Sequence, residues 1–364
     1  MFNDSQGQPL SKPVQRPIQA IYHGSVKSKL LILTSLFLLL VLLTLYAVSQ
    51  GAVEVALPEL LAILSGRASD EMTAYIVYEI RLPRMVMSII TGVSLACAGA
   101  IMQAILRNPL ADPFTLGVSS GAAFGAALAI VAGTSVFGIN LVSSGQWMIA
   151  LNAFVFGCLA VGAVYGIAKL KNSSTTVLLL AGVAIGQLFS AGVSGLKFFS
   201  NNEALKDLVV WLMGGFWGAK WQVLHILLPL VIISLVLLLK YAWDLNSLCA
   251  GEDVARTLGV NVKQVRWVCL LLVTLMASVT IAFTGIIGFI GLVAPHISRI
   301  IIGTDYRFLL PCSCLMGALL LLLSDTAARM VLSPIEIPVG IITALFGAPF
   351  FVYLLLKKRK DYWA

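Results

Sequence analysis

A nucleophile with its base, a metal cluster or a phosphate loop would give this chain chemistry of its own, and the sequence holds only fragments of each. Gly117-Val118-Ser119-Ser120-Gly121 fits the G-x-S-x-G of serine hydrolases, with His296 as the available base for an intramembrane hydrolase using Ser119. That motif works from a strand-to-helix elbow, whereas here it opens an apolar run of small residues whose glycines suit close helix packing. The three histidines, His23, His225 and His296, are far apart and no H-E-x-x-H occurs, so no zinc site is indicated. Of six cysteines only Cys312 and Cys314 are close, one residue short of C-x-x-C, and all six read as small buried hydrophobes. The dipeptide Gly-Lys is absent, so there is no Walker A loop and any ATP must be bound by another chain. No catalytic residue, metal ligand or bound cofactor is assigned.

The remaining candidates are charged or hydroxyl groups at the ends of apolar runs, where each charge needs a partner, water or a function. Arg81-Leu-Pro-Arg84 precedes one run, and Arg329 closes another, seven residues before Glu336. Arg81 and Arg84 share a face if their helix starts before Pro83, and the three arginines are either interfacial anchors or handles for a soluble partner. Lys169-Leu-Lys-Asn-Ser-Ser-Thr-Thr176 places Ser174, Thr175 and Thr176 at a helix mouth, as N-caps or as the lining of a constriction. Leu245 to Val260 alternates apolar and charged residues at helical spacing. A short amphipathic helix exposing Glu252, Asp253 and Arg256 would dock a soluble partner or lie on lipid.

What positions these groups is a membrane bundle. The chain has 364 residues, 59% hydrophobic and only 11% charged, where soluble domains carry about 25% charged residues. Stretches free of charge and long enough for a bilayer run 30–53, 85–106, 113–168, 172–196, 221–239, 267–298, 308–324 and 337–356. The third is too long for one span and breaks at Gly133-Thr-Ser and near 140–145; the sixth breaks at Gly285-Ile-Ile-Gly288. The expectation is an all-α polytopic protein of ten transmembrane helices. Basic residues before the first span and after the last place both termini in the cytoplasm, which fits an even number of crossings. Seventeen of the 24 Lys and Arg then fall inside and seven outside, so the formal charge of +8 is a topology signal and not a nucleic-acid footprint. Residues 1–29 read as a disordered cytoplasmic tail, 30–357 as the membrane domain and 358–364 as a basic cytoplasmic end. Ionisable groups are almost absent from the middle thirds of the spans, which disfavours the alternative of an ion-coupled secondary transporter.

Taken in order, Arg81-Leu-Pro-Arg84, Gly99-Ala-Ile-Met-Gln103, Arg107-Asn-Pro-Leu-Ala-Asp-Pro113, Gly117-Val-Ser-Ser-Gly121, Leu179-Leu-Ala-Gly-Val183, Gly251 to Val260, Gly288-Phe-Ile-Gly-Leu-Val-Ala-Pro-His296 and Glu336 to Pro349 resemble the FecCD-type permeases, the membrane subunits of bacterial ABC importers. The resemblance spans about 30–357. It implies translocation of an iron-siderophore complex, or haem or cobalamin, through a multi-pass subunit of the plasma (inner) membrane. It implies as partners a second permease copy, identical or paralogous, two ATPase subunits that bind the ATP and Mg, and a periplasmic or lipid-anchored substrate-binding protein. Carried over residue by residue, it puts binding-protein docking on Arg81, Arg84 and Arg329 and the cytoplasmic gate on Ser174, Thr175 and Thr176. ATPase coupling falls on Glu252, Asp253, Ala255, Arg256 and Gly259. Under it His296 and Met102 are structural, because such cargo already coordinates its metal.

Overall fold

The small-residue segments and long apolar runs become helices, as a chain must when lipid offers its backbone no hydrogen bonds. The computed structural model describes residues 18–51, 55–67, 70–133, 145–170 and 175–356, and among these there is no strand. In order the helices are α1 (Ile18–Ser49), α2 (Leu57–Leu64), α3 (Glu71–Tyr75), α4 (Leu82–Ile105), α5 (Val118–Ala132), α6 (Gly145–Leu170), α7 (Thr175–Phe199) and α8 (Asn202–Met213). They continue as α9 (Trp221–Lys240), α10 (Ala242–Ala250), α11 (Glu252–Thr257), α12 (Val262–Thr284), α13 (Ile290–Ile302), α14 (Tyr306–Met330) and α15 (Val339–Leu356). A π-helical stretch, Ile76–Arg81, joins α3 to α4, making one continuous helix from Glu71 to Ile105.

Among the described residues seven helices are long and apolar enough to cross a membrane, and α5, α13 and α15 are shorter apolar helices. The two long charge-free runs divide as expected: α5 ends at Ala132 before α6 starts at Gly145, and α12 ends at Thr284 before α13 starts at Ile290. One boundary differs. α1 begins at Ile18, inside the stretch 1–29 expected to be a tail; residues 1–17 and 357–364 lie outside the described residues.

α4 is the central helix. Every residue from Ser94 to Leu106 is buried, and α9, α12, α13 and α14 surround it. Glycine makes this possible. A Cβ on Gly92 would meet the backbone of Gly317 in α14, and one on Gly99 would meet that of Gly291 in α13. Gly121 and Gly125 do the same for α5 against the α6 backbone at Phe156 and Asn152. With no hydrophobic drive between helices in lipid, such close backbone approach supplies the packing that holds a bundle. Away from this core, α7 and α15 leave Leu180, Leu188, Leu345 and Phe346 exposed.

Candidate functional site

One polar cluster and two helices, α7 and α11, carry the groups singled out by the sequence, and a second polar cluster stands apart from them. The first cluster closes the end of the bundle where α1 finishes, α4 begins and α14 finishes. Arg84 donates from Nε and Nη2 to Asp325 and from Nη1 to Glu336 at 2.8 Å. Arg329 reaches the other oxygen of Asp325 at 3.2 Å and donates to the carbonyls of Ala47 and Gln50. Arg81 donates to the carbonyls of Val48 and Ser49, capping the open end of α1.

The structure thus brings Arg81, Arg84 and Arg329 together and largely buries them. Arg81 is buried, and the Arg84 and Arg329 side chains are only 12% and 7% exposed. The physical reason is Asp325, fully buried and acidic, which must be paired where it lies. The pair Asp325 and Arg329, spaced i,i+4 on α14, was readable in the sequence; the Arg84 links, 241 and 252 residues away, were not.

At the opposite end of α14 lies the second cluster. Asn246 of α10 accepts from the Tyr306 backbone N–H at 2.8 Å and donates to Asp305 at 2.9 Å, fixing α10 to the start of α14. Burial alone would raise the pKa of Asp305, but its bonds from Arg307 and Asn246 win and hold its carboxyl below the usual range. Deeper in, Arg299 of α13 donates to the Gln103 carbonyl oxygen at 2.6 Å, and the Gln103 amide donates to the Gly291 carbonyl. Sequence reasoning gave Gln103, Asn246, Asp305 and Arg299 no role.

The Gly251 to Val260 segment forms α11, with a sidedness different from that expected. Glu252 pairs with Arg266 of α12 at 2.5 Å and lies 3.6 Å from Arg256, and the Arg266 bond foremost holds its carboxyl below the usual range. Ala255 is fully buried against the chain's own core. Glu252 and Ala255 therefore seat α11 on the bundle, and the face left for a partner is Asp253, Val254, Arg256 and Leu258, of which Asp253 is wholly exposed. Gly259 follows with φ +82 and open space beside it. A helix of six residues is too short for periodicity to settle which side faces in.

The expected gate residues fall differently. Ser174 lies outside the described residues, while Thr175 and Thr176 open α7. Thr176, Leu180, Val183, Gln187, Ser190 and Ser194 form one exposed stripe along α7. At 100° per residue these six lie within about 80° of one another. An exposed Gln187 amide in the middle of a membrane-length helix faces water or protein, since lipid would leave it without partners.

Ser119 sits half-buried in the first turn of α5, after Gly117 with φ +80, and no strand leads into it, so the elbow required for a hydrolase is missing. His296 lies within α13, and among the described residues no three His, Cys, Asp or Glu side chains gather to hold a metal. In the turn between α4 and α5, Asp112 caps Thr115 and is pushed up to about 6 by burial.

Comparison with known proteins identifies the kind of molecule that shares this arrangement. The model of the FecCD transport family matches residues 38–357. The hemin transport system permease HmuU of Yersinia pestis is 38% identical, over 93% of this chain and 99% of its own. The molybdate import system permease MolB of Haemophilus influenzae is 37% identical, over 90% of this chain and 96% of its own. A solved structure described as an inward-facing conformation of a metal-chelate type ABC transporter superposes with a TM-score of 0.80 at 34% identity, covering 90% of this chain and 99% of the other.

Proposed function

The chain belongs to the FecCD transport family of ABC importer permeases, and from that footing we propose that it forms the path by which an iron-siderophore complex enters the cytoplasm. Permease subunits of this family are not enzymes; ATP hydrolysis resides in a separate ATPase subunit. In this reading two ATPases dock on the α11 face, a second permease copy, identical or paralogous, completes the path, and a substrate-binding protein docks at the arginine end. The ten apolar helices, seven long and three short, would then all cross the plasma membrane, with both termini cytoplasmic.

The observation that carries the reading is the α7 stripe. It offers hydroxyls, one amide and aliphatic groups but no charge, a surface weakly adhesive to a large cargo that arrives already chelated. Relatives named for hemin and for molybdate make cargo the open variable. The test is ATPase stimulation and uptake in nanodiscs and vesicles, using the complete importer and its binding protein loaded in turn with a ferric siderophore, haem, cobalamin or molybdate. Stimulation by the ferric siderophore supports the proposal; stimulation by molybdate alone overturns it.

The gate reading rests on the same helix. We expect a crosslink joining the Ser174 to Thr176 segments of two copies to block uptake, and normal uptake through the crosslinked pair would refute it. For docking, charge reversal at Arg81 or Arg329 is expected to weaken binding-protein affinity. Because both guanidiniums also hold α1, thermal stability must be read alongside. Unchanged affinity in a folded variant counts against docking at this end.

A further inference from the structure

Arg84 is held by two carboxylates of opposite accessibility. Asp325 is fully buried and shared with Arg329, so nothing arriving from solvent can replace it. Glu336 is 37% exposed and holds only the outward Nη1 of Arg84, through both carboxylate oxygens at 2.8 and 3.1 Å. It stands on the irregular segment after α14, where Val331, Leu332 and Ile335 are 65%, 57% and 70% exposed. Large aliphatic side chains grouped beside a partly exposed ion pair suit contact with a protein surface that carries a carboxylate.

We infer that Glu336 is a resident stand-in for a carboxylate of the docking protein: an Asp or Glu of the partner displaces it from Arg84 while the aliphatic residues of 331–335 pack against the partner's surface. The inference rests on the reading that the binding protein docks at the arginine end. Displacement exchanges one carboxylate for another, so Arg84 and Arg329 are never left to share the single charge of Asp325. Glu336 is thereby a competitor built into the chain, and it sets how strongly a partner must bind in order to stay.

The experiment titrates the binding protein encoded with this importer onto the complete transporter in nanodiscs, for wild type, Glu336→Gln, Glu336→Ala and Arg84→Gln, with thermal midpoints measured on each. Both Glu336 variants should bind about two- to fivefold tighter, the equivalent of a partly exposed ion pair no longer competing. Hexaglutamate, a probe of carboxylate chemistry alone, should compete with the binding protein more effectively on Glu336→Gln than on wild type. If Arg84→Gln weakens docking but the Glu336 variants bind with unchanged or lower affinity, the stand-in idea fails while docking at Arg84 survives. If Arg84→Gln folds and docks as wild type does, the docking reading itself fails, and the inference with it.

Discussion

Gly99→Ala adds one methyl group at the point where α4 and α13 touch backbone to backbone. Its Cβ would sit 2.5 Å from the carbonyl carbon and 2.6 Å from the Cα of Gly291, whereas ordinary contact begins at 3.4 Å. The neighbour is main chain and cannot rotate away, so the helices must part by at least about 0.9 Å, the difference between 2.5 and 3.4 Å for the carbonyl carbon, and by more to clear the carbonyl oxygen, which is nearer still. Overpacking of this kind costs about 1–3 kcal/mol. One turn along α4, the Gln103 amide already reaches the Gly291 carbonyl at 3.3 Å, and the same separation breaks that bond. Its loss adds about 1 kcal/mol. Gly162→Ala is the matched control, because no atom lies within 4 Å of the Cβ it would gain. There the only expected change is a helix-propensity gain of up to about 1 kcal/mol. Unfolding midpoints of the two variants in the same detergent should therefore move in opposite directions. If Gly99→Ala unfolds at or above Gly162→Ala, glycine contact is not what holds the core.

Three further outcomes follow from the inner end. Arg266 keeps the Glu252 carboxyl below its ordinary 4.5, so the α11 seat is whole above that pH and loosens as pH falls through the lower folded value. Glu252→Gln should remove that acid dependence from hydrogen exchange across α11. Asp112 behaves with the opposite sign: its carboxyl, pushed up to about 6, is costly to ionise, so stability declines as pH rises through that value. Asp112→Asn keeps an acceptor for Thr115 and should remove this decline, unfolding above wild type once the pH exceeds about 6. Gly259→Val should abolish ATPase coupling, while Gly259→Asn, which tolerates positive φ, should lose much less; equal effects would show that the partner surface and not backbone strain decides.

The gaps between charges revealed most of the helices, because a bilayer-length apolar run has few other solutions, and glycine or polar interruptions marked where 113–168 and 267–298 divide. The start of α1 at Ile18 was hidden because helix propagates cooperatively into polar sequence once nucleated. At the site, residue type announced that Arg81, Arg84 and Arg329 needed partners, yet only Asp325 stood at a readable spacing; the others come from distant segments that folding alone brings together. The orientation of α11 was likewise out of reach, since Arg266 lies on another helix and sets which way Glu252 turns.

α14 joins the two ends of the bundle with a single element. Its first residues are stapled by Asn246 to α10, which leads into α11, and its last carry Asp325 and Arg329, paired with each other and with Arg84. Twenty-five residues of helix make a strut about 37 Å long, held along its middle by the Gly92 and Gly317 crossing. Pro311 interrupts its hydrogen bonding near the start, and beyond it the helix runs on, pinned at its centre and at its far end. A tilt imposed on that length at the α4 crossing must then reach the ion pairs around Asp325 as the same tilt, while the proline leaves the end held by α10 free to bend separately.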